Sequence, residues 1–166
     1  WRPDLVGPIA RAQALLRTDG ARLSDLVKAL RPVADATGRL EWAGFAAAML
    51  DVAEAAGDVG GEKEQGARAA LLARCFALYA DPKRGWQAEL SQLGAGLASL
   101  CGAEDVGKAA TSFRLHDTDG SGTITPKEMM TYLTAMFRMI YLLDGGARAR
   151  AGGVSEEEVA ESTTWA

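Results

Sequence analysis

The stretch HDTDGSGTITPKE, His116 to Glu128, gathers three acids, two glycines and four hydroxyl side chains into thirteen positions. Elsewhere the chain is rich in Ala and Leu, so oxygen is concentrated here. Oxygen donors at close spacing suit a hard cation. Calcium takes six to eight of them, at about 2.4 Å. Counted from Asp117 as the first of twelve positions, Asp119 is third, Ser121 fifth, Gly122 sixth, Thr123 seventh, Thr125 ninth and Glu128 twelfth. Alternate residues of a tightly wound loop point inward, which accounts for ligands at the first, third and fifth positions. The sixth must turn with a positive φ, which glycine does without steric cost. The seventh offers its backbone carbonyl. The twelfth needs reach and two oxygens, which Glu128 supplies.

With helical periodicity on both sides of it, this is the EF-hand pattern. It predicts one bound Ca2+, held by Asp117, Asp119, Ser121, the Thr123 carbonyl and Glu128, with Thr125 acting directly or through water. Ile124, at the eighth position, suits a short β-bridge to a partner loop. His116 is the chain's only histidine, and a helix-end structural role is expected for it, because such loops bind through oxygen.

The chain has 166 residues and a formal charge of −4. That length supports one sizeable domain or two small lobes. Lys and Arg are scattered, which argues against a nucleic-acid surface, and no run is long and apolar enough to span a bilayer. Cys75 and Cys101 lie in apolar helical stretches without paired spacing, as buried thiols in a reducing compartment do. A cytoplasmic protein is expected. Trp1 without a methionine and the closing TTWA read as cuts from something longer. No nucleophile accompanies His116 and no phosphate loop follows a strand, so the expectation is that the protein is not an enzyme.

Almost every segment carries helical periodicity. DLVGPIARAQALL is interrupted by Pro8, which puts its first turns in question. Gly57 to Gly66 reads as a glycine-rich linker, and DGGARARAGG as a second one. A long helix is expected from about Pro126 to Leu143, and SEEEVAESTTWA reads as a capped helix start at Ser155. Two further helix–loop–helix outlines lack carboxylates where a cation needs them. One runs from Val33 to Gly44, with Gly38 and Leu40 at the sixth and eighth positions and Gly44 in place of the terminal Glu. The other runs from Ala80 to Gln92, with Pro82 third and Ser91 or Gln92 last, depending on one inserted residue. Both are expected to fold as EF-hands and stay empty.

SFRLHDTDGSGTITPKEM, MTYLTAMFRMI and, upstream, GLASLC resemble the calcium sensors of the neuronal calcium sensor and calcineurin-B type, over about residues 71 to 143. The resemblance implies an all-α fold of EF-hand helix–loop–helix repeats in two lobes, with short β-bridges between paired loops. It divides the chain into a degenerate N-terminal lobe (1–60), an EF-hand pair with one degenerate and one active loop (61–144), and a linker with the start of a truncated fourth hand (145–166). The function it implies is a calcium-responsive sensor or adaptor in signalling. The alternative is a structural scaffold, or a regulatory domain of a larger protein, with a constantly bound ion. The expected partner is a protein target, engaged through an apolar groove or the methionine-rich helix carrying Met129, Met130, Leu133, Met136, Phe137, Met139, Ile140 and Leu143. No nucleic acid is expected, membrane contact only through lipidation outside these residues, and a homodimer is possible.

Overall fold

The computed structural model describes residues 6–57, 60–102 and 106–144. Among them the chain is helical, apart from two short strands. The helices are α1 (Val6–Leu16), α2 (Leu23–Leu30), α3 (Trp42–Ala55), α4 (Glu62–Ala77), α5 (Leu90–Ala98), α6 (Val106–His116) and α7 (Pro126–Leu143). The strands are β1 (Arg39–Leu40) and β2 (Ala88–Glu89). The all-α class follows from the periodicity. The linker from Asp144 onward continues past the last described residue, and the helix start near Ser155 lies outside the described residues.

Pro8 does not delay α1. It sits in the first turn, where a missing N–H costs no helical bond. The helix closes at Arg17, which takes a left-handed φ of 57°. The Thr18 amide bonds back to the Gln13 carbonyl at 2.9 Å and the Arg17 amide to that of Ala14 at 3.3 Å, satisfying carbonyls the helix end would leave bare. The glycine-rich linker is shorter than its composition suggests: α4 begins at Glu62 and runs through Gly66. Glu62 and Glu64 in its first turn favour the positive end of the helix dipole, and that local signal overrides the glycines.

Three loops sit between successive helices: 33–44 joins α2 to α3, 80–92 joins α4 to α5, and 117–128 joins α6 to α7. An antiparallel ladder connects the first two, pairing Leu40 with Ala88 and Arg39 with Glu89. It crosses the boundary drawn near residue 60. Because Leu40 holds the eighth position of its loop, its partner Ala88 holds the equivalent one, which makes Gln92 rather than Ser91 the last. The inserted residue is absorbed at Gly85 and Trp86, left-handed in succession with φ of 67° and 61°. Ile124 forms no ladder among the described residues.

Buried side chains from all seven helices merge into one core, from Leu16 on α1 through Phe45, Leu72 and Leu93 to Leu115 and Met139. Phe76 stacks near Phe45 at 5.3 Å and meets Trp42 edge-on at 5.7 Å, tying α4 to α3. Cys75 and Cys101 are free and buried, and burial pushes their thiols up to about 12 and about 11. Both stay protonated and unreactive at neutral pH. No described helix is long and apolar enough to cross a membrane.

Candidate metal centre

The 117–128 loop is positioned by the helices at its two ends. His116 closes α6, buried, with its Nδ1 2.8 Å from the Ser112 carbonyl and its ring edge-on to Tyr132 of α7 at 4.9 Å. It fixes how the helices meet and stays out of the acid cluster, as expected of it. Thr125 begins α7: its hydroxyl accepts from the Glu128 amide at 3.3 Å, and Pro126 supplies a first helical residue that needs no amide partner.

Three carboxylates converge inside the loop. One oxygen each from Asp117, Asp119 and Glu128 lies within 4.8 Å of the others. Ser121 joins them, its Oγ 3.5 Å from Asp117 Oδ1 and donating to the Thr123 carbonyl at 3.1 Å. The loop is wound by its own amides. Gly122 donates to Asp117 Oδ2 at 3.0 Å and Ser121 to Asp119 Oδ1 at 2.9 Å. Gly120 and Gly122 take φ of 66° and 76°, the backbone turns that an L side chain resists. Asp117, Asp119 and Glu128 are thus brought together, with Ser121 and Thr123 beside them and Thr125 bonded to Glu128.

Residues 109–138 match the family model of the EF-hand domain. This segment is similar to an EF-hand. No curated protein and no solved structure matches the chain.

The donor set of the 117–128 loop is all oxygen and carries three negative charges. That chemistry fits a hard divalent cation, typically Ca2+, and excludes the sulfur and imidazole ligands that softer metals favour. Glu128 is the most heavily bonded member. Its Oε1 accepts from the Thr118 amide and hydroxyl at 3.0 and 2.9 Å, and its Oε2 from those of Thr125 at 2.9 and 2.8 Å. These bonds, with the Thr125 amide foremost, hold its carboxyl down at about 2. The Ser121 hydroxyl and amide lower Asp119 in the same way. Both carboxylates are therefore charged across the physiological range. Thr118 escapes the sequence pattern, because the second position of the loop is free to vary there.

The other two loops of this shape bring no three acids together. In 33–44 the first and twelfth positions are Val33 and Gly44, and a Cβ on Gly44 would stand 3.2 Å from Val33 Cβ. An apolar side chain occupies the space a terminal carboxylate would need. Of its two acids, Glu41 accepts from the Gln87 side-chain amide at 3.5 Å, and Asp35 accepts from the Thr37 hydroxyl, the Thr37 amide and the Arg39 amide at 2.7, 2.7 and 3.0 Å. The Thr37 hydroxyl foremost lowers its pKa. In 80–92 the acid Asp81 caps a turn through the Lys83 amide at 2.9 Å and pairs with Arg84 at 3.4 Å. Among the described residues the 117–128 loop holds the one cluster of three or more acidic, histidine or cysteine ligands.

α7 carries apolar residues on two opposite faces. Ala135 and Met139 are buried and face α5, with Tyr132, Leu142 and Leu143 packed alongside. At 3.6 residues per turn, Met130, Phe137 and Tyr141 fall on the other side, and all three are exposed. The run expected as one stripe is split: part of it is core, part surface. The 3.6-residue period separates these apolar sides from the polar one of Lys127, Thr131, Thr134 and Arg138, but does not say which apolar side is buried.

Proposed function

We propose that the chain binds a single Ca2+ in the 117–128 loop and works as a cytoplasmic calcium sensor in signalling. The reading rests on the convergence of Asp117, Asp119 and Glu128 within 4.8 Å. Asp117, Asp119 and Ser121 hold the ion by side chain, Thr123 by its carbonyl, Thr125 directly or through water, and Glu128 through both oxygens. Because each Glu128 oxygen already accepts from threonine hydroxyls, coordination competes with those bonds and shifts the first turn of α7. The exposed side chains of Met130, Phe137 and Tyr141 travel with that helix and are the surface offered to a protein target. The resemblance to neuronal calcium sensors and calcineurin B supports this role, and the protein is not proposed to be an enzyme. Three carboxylates correspond to an affinity of about 10⁻⁷ to 10⁻⁵ M. Titration calorimetry with Ca2+ tests it: one site in this range is expected, and no binding overturns the reading.

A second reading, a structural scaffold with a constant ion, is favoured by one observation. From Ala135 onward α7 is pinned in the core by Tyr79, which donates to the Ala135 carbonyl at 2.6 Å. Tryptophan and tyrosine fluorescence, followed as micromolar Ca2+ is added, separates the two. A sensor changes signal as the site fills. A scaffold holds its ion through purification and changes only under a strong chelator.

A further inference from the structure

The second loop has no acid at its first or last position, and beside it lies a cleft with an excess of positive charge. A cavity of about 340 Å³ opens between the 80–92 loop, β1 and α7, lined by Arg39, Arg84 and Arg138 against two acids, Asp81 and Glu89. Arg39 pairs with Glu89 at 3.5 Å and Arg84 with Asp81 at 3.4 Å. Such half-exposed pairs exchange partners readily. Arg138 has no ion-pair partner among the described residues. The cleft therefore carries one positive charge more than its own acids balance, in a chain whose formal charge is −4. Sites for small molecules are mostly apolar and enclosing. This one is polar and open, a shape that suits an extended acidic peptide.

We propose that the occupant is the chain's own segment 156–161, Glu-Glu-Glu-Val-Ala-Glu, with its carboxylates on Arg138 and Arg84. Charge complementarity is the first argument, since four of these six residues are Glu. A guanidinium fork takes a carboxylate through two parallel hydrogen bonds. Reach is the second. Arg138 precedes Asp144, the last described residue, by six positions on the sequence, or about 9 Å along a helix. Residues 145–155 span at most about 40 Å, so the acids can return to the cleft without strain. Tethered this closely, they face it at an effective concentration in the millimolar range. The proposal does not depend on a metal in the 117–128 loop.

The experiment uses the full chain and follows backbone amide resonances. Neutralising the segment with E156Q, E157Q and E158Q together leaves every described residue intact, so folding is not at risk. The expected result is that resonances of Arg84 to Gln92 and of Arg138 move. Raising salt from about 50 to about 500 mM should move them in the same direction, as screening predicts. The charge-reversed R138E should release the segment, and R138E combined with E157R should restore part of its contact. Cleft resonances that ignore the triple substitution overturn the proposal. So does a shift that grows with protein concentration, which would mean that a second copy supplies the acids.

Discussion

Tyr79 donates its buried hydroxyl to the Ala135 carbonyl at 2.6 Å, across a separation of 56 residues. This bond joins the end of α4, which leads into a loop without an acidic cluster, to α7, which leaves the loop that has one. Gly96 of α5 lies against both the Tyr79 hydroxyl and Met139, and a Cβ there would collide with them. Three helices meet at one point, and only glycine leaves room for the tyrosine. Tyr79→Phe is expected to cost about 1 to 2 kcal/mol, and Gly96→Ala about 1 to 3 kcal/mol by overpacking. Urea denaturation checks both, and unchanged midpoints would show that the junction carries no weight.

Arg68 is 1% exposed and donates to the Leu15 carbonyl at 2.7 Å and to Glu64 at 3.4 Å. It caps the last turn of α1 from α4. Arg68→Ala removes the donor and leaves the Leu15 carbonyl short of a bond, while the half-exposed Glu64 keeps Arg17 at 3.5 Å. About 1 to 3 kcal/mol of stability should go with it. A thermal melt within a degree of the parent would contradict this role.

Glu128 makes a test at acid pH. Its folded pKa, about 2, lies below the ordinary 4.5. A depressed carboxylate stabilises the folded state above the unfolded pKa and loses that contribution as pH falls through the folded one. The first turn of α7 should therefore keep its amide protection at neutral pH and shed it between about 4.5 and about 2. Carbon-detected titration of the Glu128 carboxyl should give a midpoint well under 4. An ordinary midpoint would mean that the threonine bonds do not persist in solution.

Glu128→Gln keeps the reach of the side chain but removes its charge. Calcium affinity should fall at least about tenfold, the scale of losing one charged ligand. The stoichiometry for the parent chain should be one, because among the described residues only the 117–128 loop gathers three acids. Two strong sites in a calorimetric titration would show that one of those loops binds after all.

Phe137 is 46% exposed on the outer face of α7. Phe137→Asp should leave stability within about 0.5 kcal/mol and reduce the binding of a hydrophobic dye to the calcium-loaded chain. If dye binding is unaffected, the adaptor surface lies elsewhere.

The sequence alone determined what depends on neighbours along the chain. The convergence of Asp117, Asp119 and Glu128 was legible because a tightly wound loop places every second residue inward by local geometry. The limits of α7 were legible because Thr125, Pro126 and Glu128 cap a helix wherever they occur in that order. Only the tertiary structure decided what depends on distant partners. Whether Ser91 or Gln92 closes the second loop was settled by Leu40 pairing with Ala88, a contact that the spacing within 80–92 does not encode. Met139 is core and Phe137 surface, although the two are equally apolar and two residues apart. That choice belongs to α5, whose Gly96 leaves a hollow against α7. Periodicity reports which residues share a face of a helix. Which face is buried depends on the shape of the helix that packs against it.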